Sequence, residues 1–503
     1  GNQNVAIGTD GQKVSTAADN TSVGYLALAA NTTGVQNVAV GSKAGDAITT
    51  GNNNTAVGMD ALSGATTASS NTAIGYGALY GTSTGAANTA VGILALASNV
   101  TGASNTAVGA AALDANTTGA ENTAIGKDAL GAQTTGGSNT AAGLSALAAN
   151  TTGEQNVGVG NFALAANTTA NFNVAIGNNS LDANTTGANN TGVGKNALGA
   201  NTTGSENTTV GHSSLAANTT GANNTGLGFG ALASNTTAAA NTAVGKSALL
   251  LNTTGTLNVA IGHEALDANT TANSNTAIGT YALGANTTGA QNIGVGLSAG
   301  ASITTGANNT VIGAAAGVTG VTLTTGGQNV LLGRHCHTSA ADSSYANGLG
   351  YNIEAVGGYT TIGESGSDIR AQHGVATWNT VSDERVKKDI KDSTVGLNFI
   401  NDLRPVTFNY RNKGDLPTEF KGYEEDSTEV YKSEKSQHGF IAQEVKAAID
   451  KHSDIKNGFS MWDNDDETGQ QRVGETALIP MLTKAVQELS AKVEELESKL
   501  NGE

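Results

Sequence analysis

The closing glycine of the phrase Asn-Thr-Ala-Val/Ile-Gly returns every 17 residues. It marks Gly24, Gly41 and Gly58, keeps step through Gly126 and Gly211 to Gly313, and only then slips, the next member, Gly333, arriving after 20. A disordered tract has no reason to hold a fixed phase between its apolar residues, so the period argues for stacked coils of backbone. One unit reads Asn122-Thr123-Ala124-Ile125-Gly126-Lys127-Asp128-Ala129-Leu130 and closes on Thr134-Thr135-Gly136; elsewhere the closing phrase is Ala149-Asn150-Thr151-Thr152-Gly153. Two apolar points separated by Gly and bounded by an Asn/Thr/Gly turn predict two brief strands and a corner per coil. The expectation is that Val/Ile and Leu stack into inward columns while Ala lets the walls approach. The recurring Asn-Thr-Thr matches a glycosylation acceptor, but its place at a corner makes it turn chemistry.

Composition narrows the architecture further. Among 503 residues there are 68 Gly, 4% aromatics and 13% charged residues, too little for a thick aromatic core. A single coil buries too little to fold alone. Coils stacked about 4.8 Å apart share one ladder of hydrogen bonds, and some twenty of them make a rod on the order of 100 Å long. Each unit offers only about two sizeable apolar side chains, so neighbouring chains are expected to complete the core, most simply as a homotrimer. The net charge of -17 excludes nucleic acid and anionic membrane surfaces as natural partners. No apolar run reaches the roughly 20 residues of a membrane span, and the lone Cys336 excludes an intrachain disulfide framework. The chain opens inside a repeat, at Gly1-Asn2-Gln3-Asn4 without Met, so a natural N-terminus further upstream is expected.

Beyond Gly333 the pattern changes. Arg334-His335-Cys336-His337 places two histidines on one strand face, and three chains around an axis would offer six imidazoles; His335 and His337 are therefore weak metal candidates, with packed or solvated histidines the better expectation. No cofactor is called for. All three prolines (Pro405, Pro417, Pro480) and both tryptophans (Trp378, Trp462) follow residue 377. Residues 1–333 carry five Lys and no Arg, whereas 383–503 hold 17 Lys+Arg and 25 Asp+Glu. Three parts follow: a shaft at 1–333, an irregular β tip or stem at 334–381, and an α+β domain at 382–503. In the last, Leu397, Ile400 and Leu403 mark a short helix, Val406, Phe408 and Tyr410 a strand, and Ala442–Ile449 a second helix. Ile479, Leu482, Val486, Leu489, Val493, Leu496 and Leu500 form a coiled-coil seam at about 477–501, flanked by Lys492 and Glu497. Val at a with Leu at d leans toward two strands; the seam is only about three heptads, so the preceding domain is expected to decide, for three.

At the composition break stands Ser382-Asp383-Glu384-Arg385-Val386-Lys387, followed by Leu403-Arg404-Pro405-Val406-Thr407-Phe408 and Gly439-Phe440-Ile441-Ala442-Gln443-Glu444-Val445. In this order, just before a terminal coiled coil, these motifs resemble the intramolecular chaperone auto-processing domain of phage tailspikes and tail fibres; the Asn-Thr-Ala-Val/Ile-Gly phrase is similar to repeats of phage fibres and of trimeric autotransporter adhesin heads. The resemblance implies a trimerising chaperone that brings upstream β-structure into register and is released by autoproteolysis, a single-turnover endopeptidase with Ser382 as nucleophile and Lys387 as general base. A partly desolvated lysine has a lowered pKa and can take the serine proton. Asp383 and Arg385 are assigned supporting roles. The mainly β chain is thus expected to be a trimeric β-solenoid, β-roll-like, with a chaperone domain ending in a coiled coil. It would serve as a structural and receptor-binding virion tail-fibre subunit, extracellular after release, its chaperone folding and cutting in the host cytoplasm. Its partners would be two further copies, a host surface receptor (a glycan or an outer-membrane component) and other tail proteins through the N-terminal end. The alternatives are a bacterial trimeric surface adhesin and a glycan-degrading tailspike; the repeat offers no recurrent Asp/Glu pair at a cleft for the latter.

Overall fold

The computed structural model describes residues 3–365, 367–375, 378–380, 384, 387–420, 422–456, 461–464 and 471–502. The chain divides into two compact units, Gly1–Val381 and Ser382–Glu503.

The first unit is a β-solenoid. Twenty three-residue strands, β1 (Val5–Ile7) to β20 (Val330–Leu332), pair in parallel, each with the next. The register repeats the period, Thr106↔Thr123, Ala107↔Ala124 and Val108↔Ile125. Coil 122–138 serves to name the columns. Ala124, Ala129 and Leu130 are buried, and so are their counterparts in most coils from Ala27 and Leu28 onward. Gly126 turns the chain with φ +135, and a Cβ there would lie 2.4 Å from the carbonyl oxygen of Gly143 in the next coil. No other residue fits, so the Gly126 column is the invariant mark of the period.

Two expectations are corrected. Val and Ile do not point inward: Ile125 is 48% exposed while Ala124 is 0%. Strand side chains alternate, and the coil is so narrow at the strand that a methyl group fills it; the neighbours Thr123 and Ile125 are turned out. Nor does a coil hold a second strand. Asp128 and Leu130 adopt φ +55 and +53, a left-handed backbone that bars an extended segment. Backbone bonds between coils continue nonetheless, as Leu130 N–H donates to Ala146 at 3.0 Å. Left-handed leucine costs roughly 1–2 kcal/mol, and its full burial returns about 1.5–3 kcal/mol. Where the column has Gly45 or Gly300 instead, the strain vanishes and the space is taken by Ile48 or Ile303, three residues on, whose Cδ1 would meet an added Cβ at 2.9 or 3.1 Å.

The rest of the interior is polar. Asn20 to Asn329 form an unbroken buried column, one amide per coil. Asn122 Nδ2 donates to Asn105 Oδ1 at 3.2 Å and to Gly136 O at 3.0 Å, while its Oδ1 accepts Asn139 N–H at 3.0 Å and Asn139 Nδ2 at 3.2 Å. A second column is formed by the Asn of Asn-Thr-Thr. Asn116 Nδ2 donates to Asn99 Oδ1 and to its own turn at Gly119 O, both at 3.0 Å. These asparagines are inside the coil with their amides engaged, which removes them as glycosylation acceptors in the folded shaft. The following threonine closes the edge, Thr117 Oγ1 donating to Thr134 O at 3.1 Å.

Beyond β20 the solenoid winds through β21 (His337–Thr338), β22 (Asn347–Tyr351) and β23 (Glu354–Ala355) to β24 (Tyr359–Glu364), which still pairs in parallel with β22. It then reverses into antiparallel β25 (Ile369–Gln372) and β26 (Trp378–Thr380). The second unit is α+β: α1 (Leu397–Asp402), antiparallel β27 (Val406–Phe408) and β28 (Gln437–Gly439), α2 (Ala442–Asp450), the ribbon β29 (Trp462–Asn464) and β30 (Gln471–Val473), and α3 (Ile479–Asn501). Phe399, Val445, Ile449, Met461 and Leu478 are its core. Among the described residues, no helix is long and apolar enough to cross a membrane.

Candidate functional site

Ser382, Asp383 and Arg385 lie outside the described residues. Lys387 is exposed, and its backbone N–H donates to the Glu384 carbonyl at 3.1 Å. The two motifs downstream, far apart in sequence, meet in space. β27 carries Val406-Thr407-Phe408 against β28, with Val406 opposite Gly439. Arg404 then forks onto Glu444, Nε to Oε2 at 3.0 Å and Nη2 to Oε1 at 2.5 Å. Glu444 sits in the first turn of α2, where the helix dipole favours a negative charge. The Arg404 hydrogen bonds hold the Glu444 carboxyl below its usual range. Val445, next along the motif, is buried in the core.

Three further anchors were not singled out in the sequence. Asp402, ending α1, receives His452 Nε2 at 3.0 Å and Lys451 Nζ at 3.2 Å, and these hydrogen bonds lower its pKa. Glu488 of α3 accepts the Leu397 N–H at 2.9 Å, closing the start of α1. Lys413 reaches both Glu424 and Glu429, at 2.9 and 2.7 Å. Each joins groups more than ten residues apart in the chain, a spacing that carries no local signature.

The histidines do not share a strand face. His335 sits in a turn with φ +59, its ring edge-on to Tyr351 at 6.2 Å, while His337 lies on β21 with Nδ1 3.1 Å from the His335 carbonyl. The turn at His335 breaks the alternation that the pairing assumed. Between them Cys336 occupies the Ala129 column, fully buried, and burial pushes its thiol up to about 11, which makes it an inert core residue. Among the described residues no three His, Cys, Asp or Glu side chains gather to hold a metal ion.

The extended surfaces carry more information. The outward face of the strands shows a Thr123 column beside an Ile125 column, and Ile74, Val108, Ile125, Val159, Ile176, Val210, Ile261, Ile278 and Ile312 are all at least 36% exposed. The stripe runs for some twenty coils, on the order of 90 Å, well beyond the isolated apolar patches of an ordinary monomer. On α3, Ile479, Leu482, Val486, Leu489, Val493, Leu496 and Leu500 are likewise exposed, from 44% at Leu482 to 86% at Leu500.

Comparison with known proteins gives one match. Residues 382–454 fit the model of a peptidase family described as chaperone of endosialidase, and the match begins at Ser382. With the solenoid upstream, the chain has the build of a tailspike-like or fibre-like protein carrying a chaperone domain, and the family implies a self-cleaving intramolecular chaperone. A search of curated proteins found no match, and neither did a search of solved structures.

Proposed function

We propose that this chain is a virion tail-fibre subunit that assembles as a homotrimer under the guidance of its C-terminal unit, which then cuts itself off at Ser382. The observation that carries the reading is the pair of unpartnered apolar faces, the Val/Ile stripe of the shaft and the seam of α3, on a chain whose end matches a chaperone-peptidase family. The shaft interior is already filled by Ala, Leu and Asn, so the outward Val/Ile is what remains to be buried between copies. A second copy is the occupant with a matching stripe of matching length.

Repetition explains the need for a chaperone. Sliding one copy along another by a whole coil keeps nearly every Val/Ile contact, so wrong registers are almost as stable as the right one. A three-stranded clamp on α3 sets the register before the shafts zip together. Its removal afterwards leaves no easy route back, so the fibre persists kinetically. In the cut, Ser382 is the nucleophile and Lys387 its base, with Asp383 and Arg385 supporting the loop. A lysine serves as a base only where water has been stripped from it. Lys387 is exposed in the single chain, so the packing of copies must supply the dry surroundings, which ties cutting to assembly.

Ser382→Ala and Lys387→Ala should each leave one full-length band on a denaturing gel where the parent chain gives two, with three copies by light scattering in both cases. Normal cutting in either variant removes the dyad, and a monomeric shaft removes the fibre.

A further inference from the structure

Basic side chains are scarce on the shaft and are not scattered. Of the five Lys and two His in residues 1–333, Lys127, Lys195, His212, Lys246 and His263 all fall in one column, the residue after the invariant glycine. None of the shaft's acidic residues occupies that column from Tyr25 to Ala314. Seventeen columns were open to these charges, so the segregation asks for a cause.

The column is most developed over six consecutive coils, where Lys195, His212, Phe229, Lys246 and His263 are followed, one place along, by Tyr281. His212 stacks flat on Phe229, with centroids 5.3 Å apart and planes at 8°, and Tyr281 sits edge-on to His263 at 5.5 Å. Phe229 is 56% and Tyr281 44% exposed, and Lys195, His212 and Lys246 are exposed as well. The acids of these coils are Glu206, Glu264 and Asp267; Glu264 lies 3.4 Å from His263 Nε2. The order is a cation followed by a pair of touching rings, and it occurs twice with Lys246 three coils after Lys195, a repeat of about 14 Å.

We propose that this edge binds a linear acidic polysaccharide. Exposed rings offer platforms for the C–H faces of sugar rings, the lysines pair with carboxylate or sulfate groups, and a periodic edge suits a periodic polymer. In a chain of charge -17, keeping acids out of the Lys/His column, with Glu264 set one place beside it at His263, is what permits an anionic ligand to approach. The inference deepens the fibre reading, on which it rests for its context, by naming the class of surface ligand and the residues that meet it.

The test uses the intact oligomer and polygalacturonate as the probe, with neutral dextran and duplex DNA alongside. The parent should bind polygalacturonate and weaken as salt is raised. Lys195→Ala/Lys246→Ala and Phe229→Ala/Tyr281→Ala should each lose about tenfold or more in affinity, a change of about 1.4 kcal/mol, while Lys13→Ala/Lys43→Ala, off the column, binds as the parent does. Absence of binding by the parent, equal or tighter binding of DNA, or equal loss in the Lys13/Lys43 control overturns the proposal. So does loss of self-association in the Lys195→Ala/Lys246→Ala or Phe229→Ala/Tyr281→Ala variant, which would assign the column to the contact between copies. The Ser382 gel assay reads the processing step separately, so failure there and failure here are distinguishable.

Discussion

Replacing Asn139 with Ala tests whether the buried amide column, rather than apolar burial, holds neighbouring coils in step. Asn139 Nδ2 donates to Gly153 O at 2.8 Å and to Asn122 Oδ1 at 3.2 Å, and its Oδ1 accepts Asn156 N–H at 2.9 Å and Asn156 Nδ2 at 3.2 Å. Alanine deletes all four. Asn122 Oδ1 keeps the Asn139 backbone N–H at 3.0 Å and the Gly153 carbonyl keeps Asn150 Nδ2 at 3.0 Å, but the Asn156 N–H loses its partner inside the coil. The orphaned N–H costs about 1–3 kcal/mol and the lost bond to Gly153 about 1 kcal/mol more, so the expected loss is about 2–4 kcal/mol, nearer the lower figure if a water enters the space. In a stacked repeat the loss stays local, because each coil touches only its neighbours. Amide hydrogen exchange should therefore show coils 122–172 losing protection by about thirtyfold or more, the equivalent of 2 kcal/mol, with coils 241–291 unchanged. A loss below about fivefold, or one spread evenly over the shaft, would refute the argument.

The second amide column contains its own natural defect. Gln133 stands where its neighbours have Asn, turns its Nε2 to Gly136 O, and leaves the buried Asn116 Oδ1 without a partner; Gln133→Asn should restore the bond and raise shaft stability by about 1 kcal/mol, measured by denaturant unfolding, and a neutral or destabilising result counts against the ladder. Acid should act on the two units in opposite directions. Burial raises Asp46, Asp114, Asp182 and Asp267, so the folded shaft binds more protons than the unfolded chain and gains stability as pH falls from 7 toward about 4. Hydrogen bonds lower Asp402, Glu444 and Asp454, and that stabilisation is lost as pH falls through their folded values. In uncut Ser382→Ala protein that also carries Trp378→Phe, so that Trp462 alone reports, fluorescence should therefore show earlier melting at pH 4 than at pH 7 while the β circular dichroism signal melts later; parallel shifts would sink the assignment. Leu489→Glu/Leu496→Glu on the exposed α3 seam should leave chains that sediment as monomers and remain uncut, and a processed trimer would show that the seam is dispensable.

The period was readable because the Gly126 column is set by a steric rule that any sequence must obey: a left-handed turn with a carbonyl stacked on it. The direction of the apolar residues was not, because hydrophobicity ranks Val and Ile above Ala and suggests that they lie inside. Volume decides the matter instead, and the space at the strand admits one methyl group. The buried asparagines were missed for a related reason. Asn beside Thr and Gly reads locally as a turn, yet a signal was present: in unit after unit Asn122 and its equivalents persist while Lys127 and its equivalents change freely. In the C-terminal unit the elements α1, β27 and α2 could be placed from local periodicity, whereas the Arg404–Glu444 fork joins residues 40 apart and has no local pattern. Ser382 was reached through a motif and lies outside the described residues.

The exceptions to the repeat explain how one chain avoids the slippage expected between copies. Ser180 replaces Ala in its column and donates to Gly192 O at 2.8 Å; a Cβ on Gly192 would lie 2.7 Å from the Ser180 hydroxyl. Ser214 and Gly226 repeat the exchange one pair of coils later. Asp114 stands beneath Gly131, Asp182 beneath Gly199 and Asp267 beneath Gly284, in each case 3.3 to 3.6 Å from where a Cβ would be. Gly45 with Ile48, and Gly300 with Ile303, trade volume within a coil. The aspartates leave room for a near-ordinary contact and the Gly/Ile exchange stays within its coil, but Ser180 and Ser214 fit because the coil above has glycine there, so shifting a segment by one coil inside the chain sets serine against alanine. These locks are internal and face away from the Val/Ile stripe. The order of coils within one chain is therefore written into its core, while the alignment between copies in the fibre we propose is not, and that alignment is the task the proposal assigns to the terminal helix.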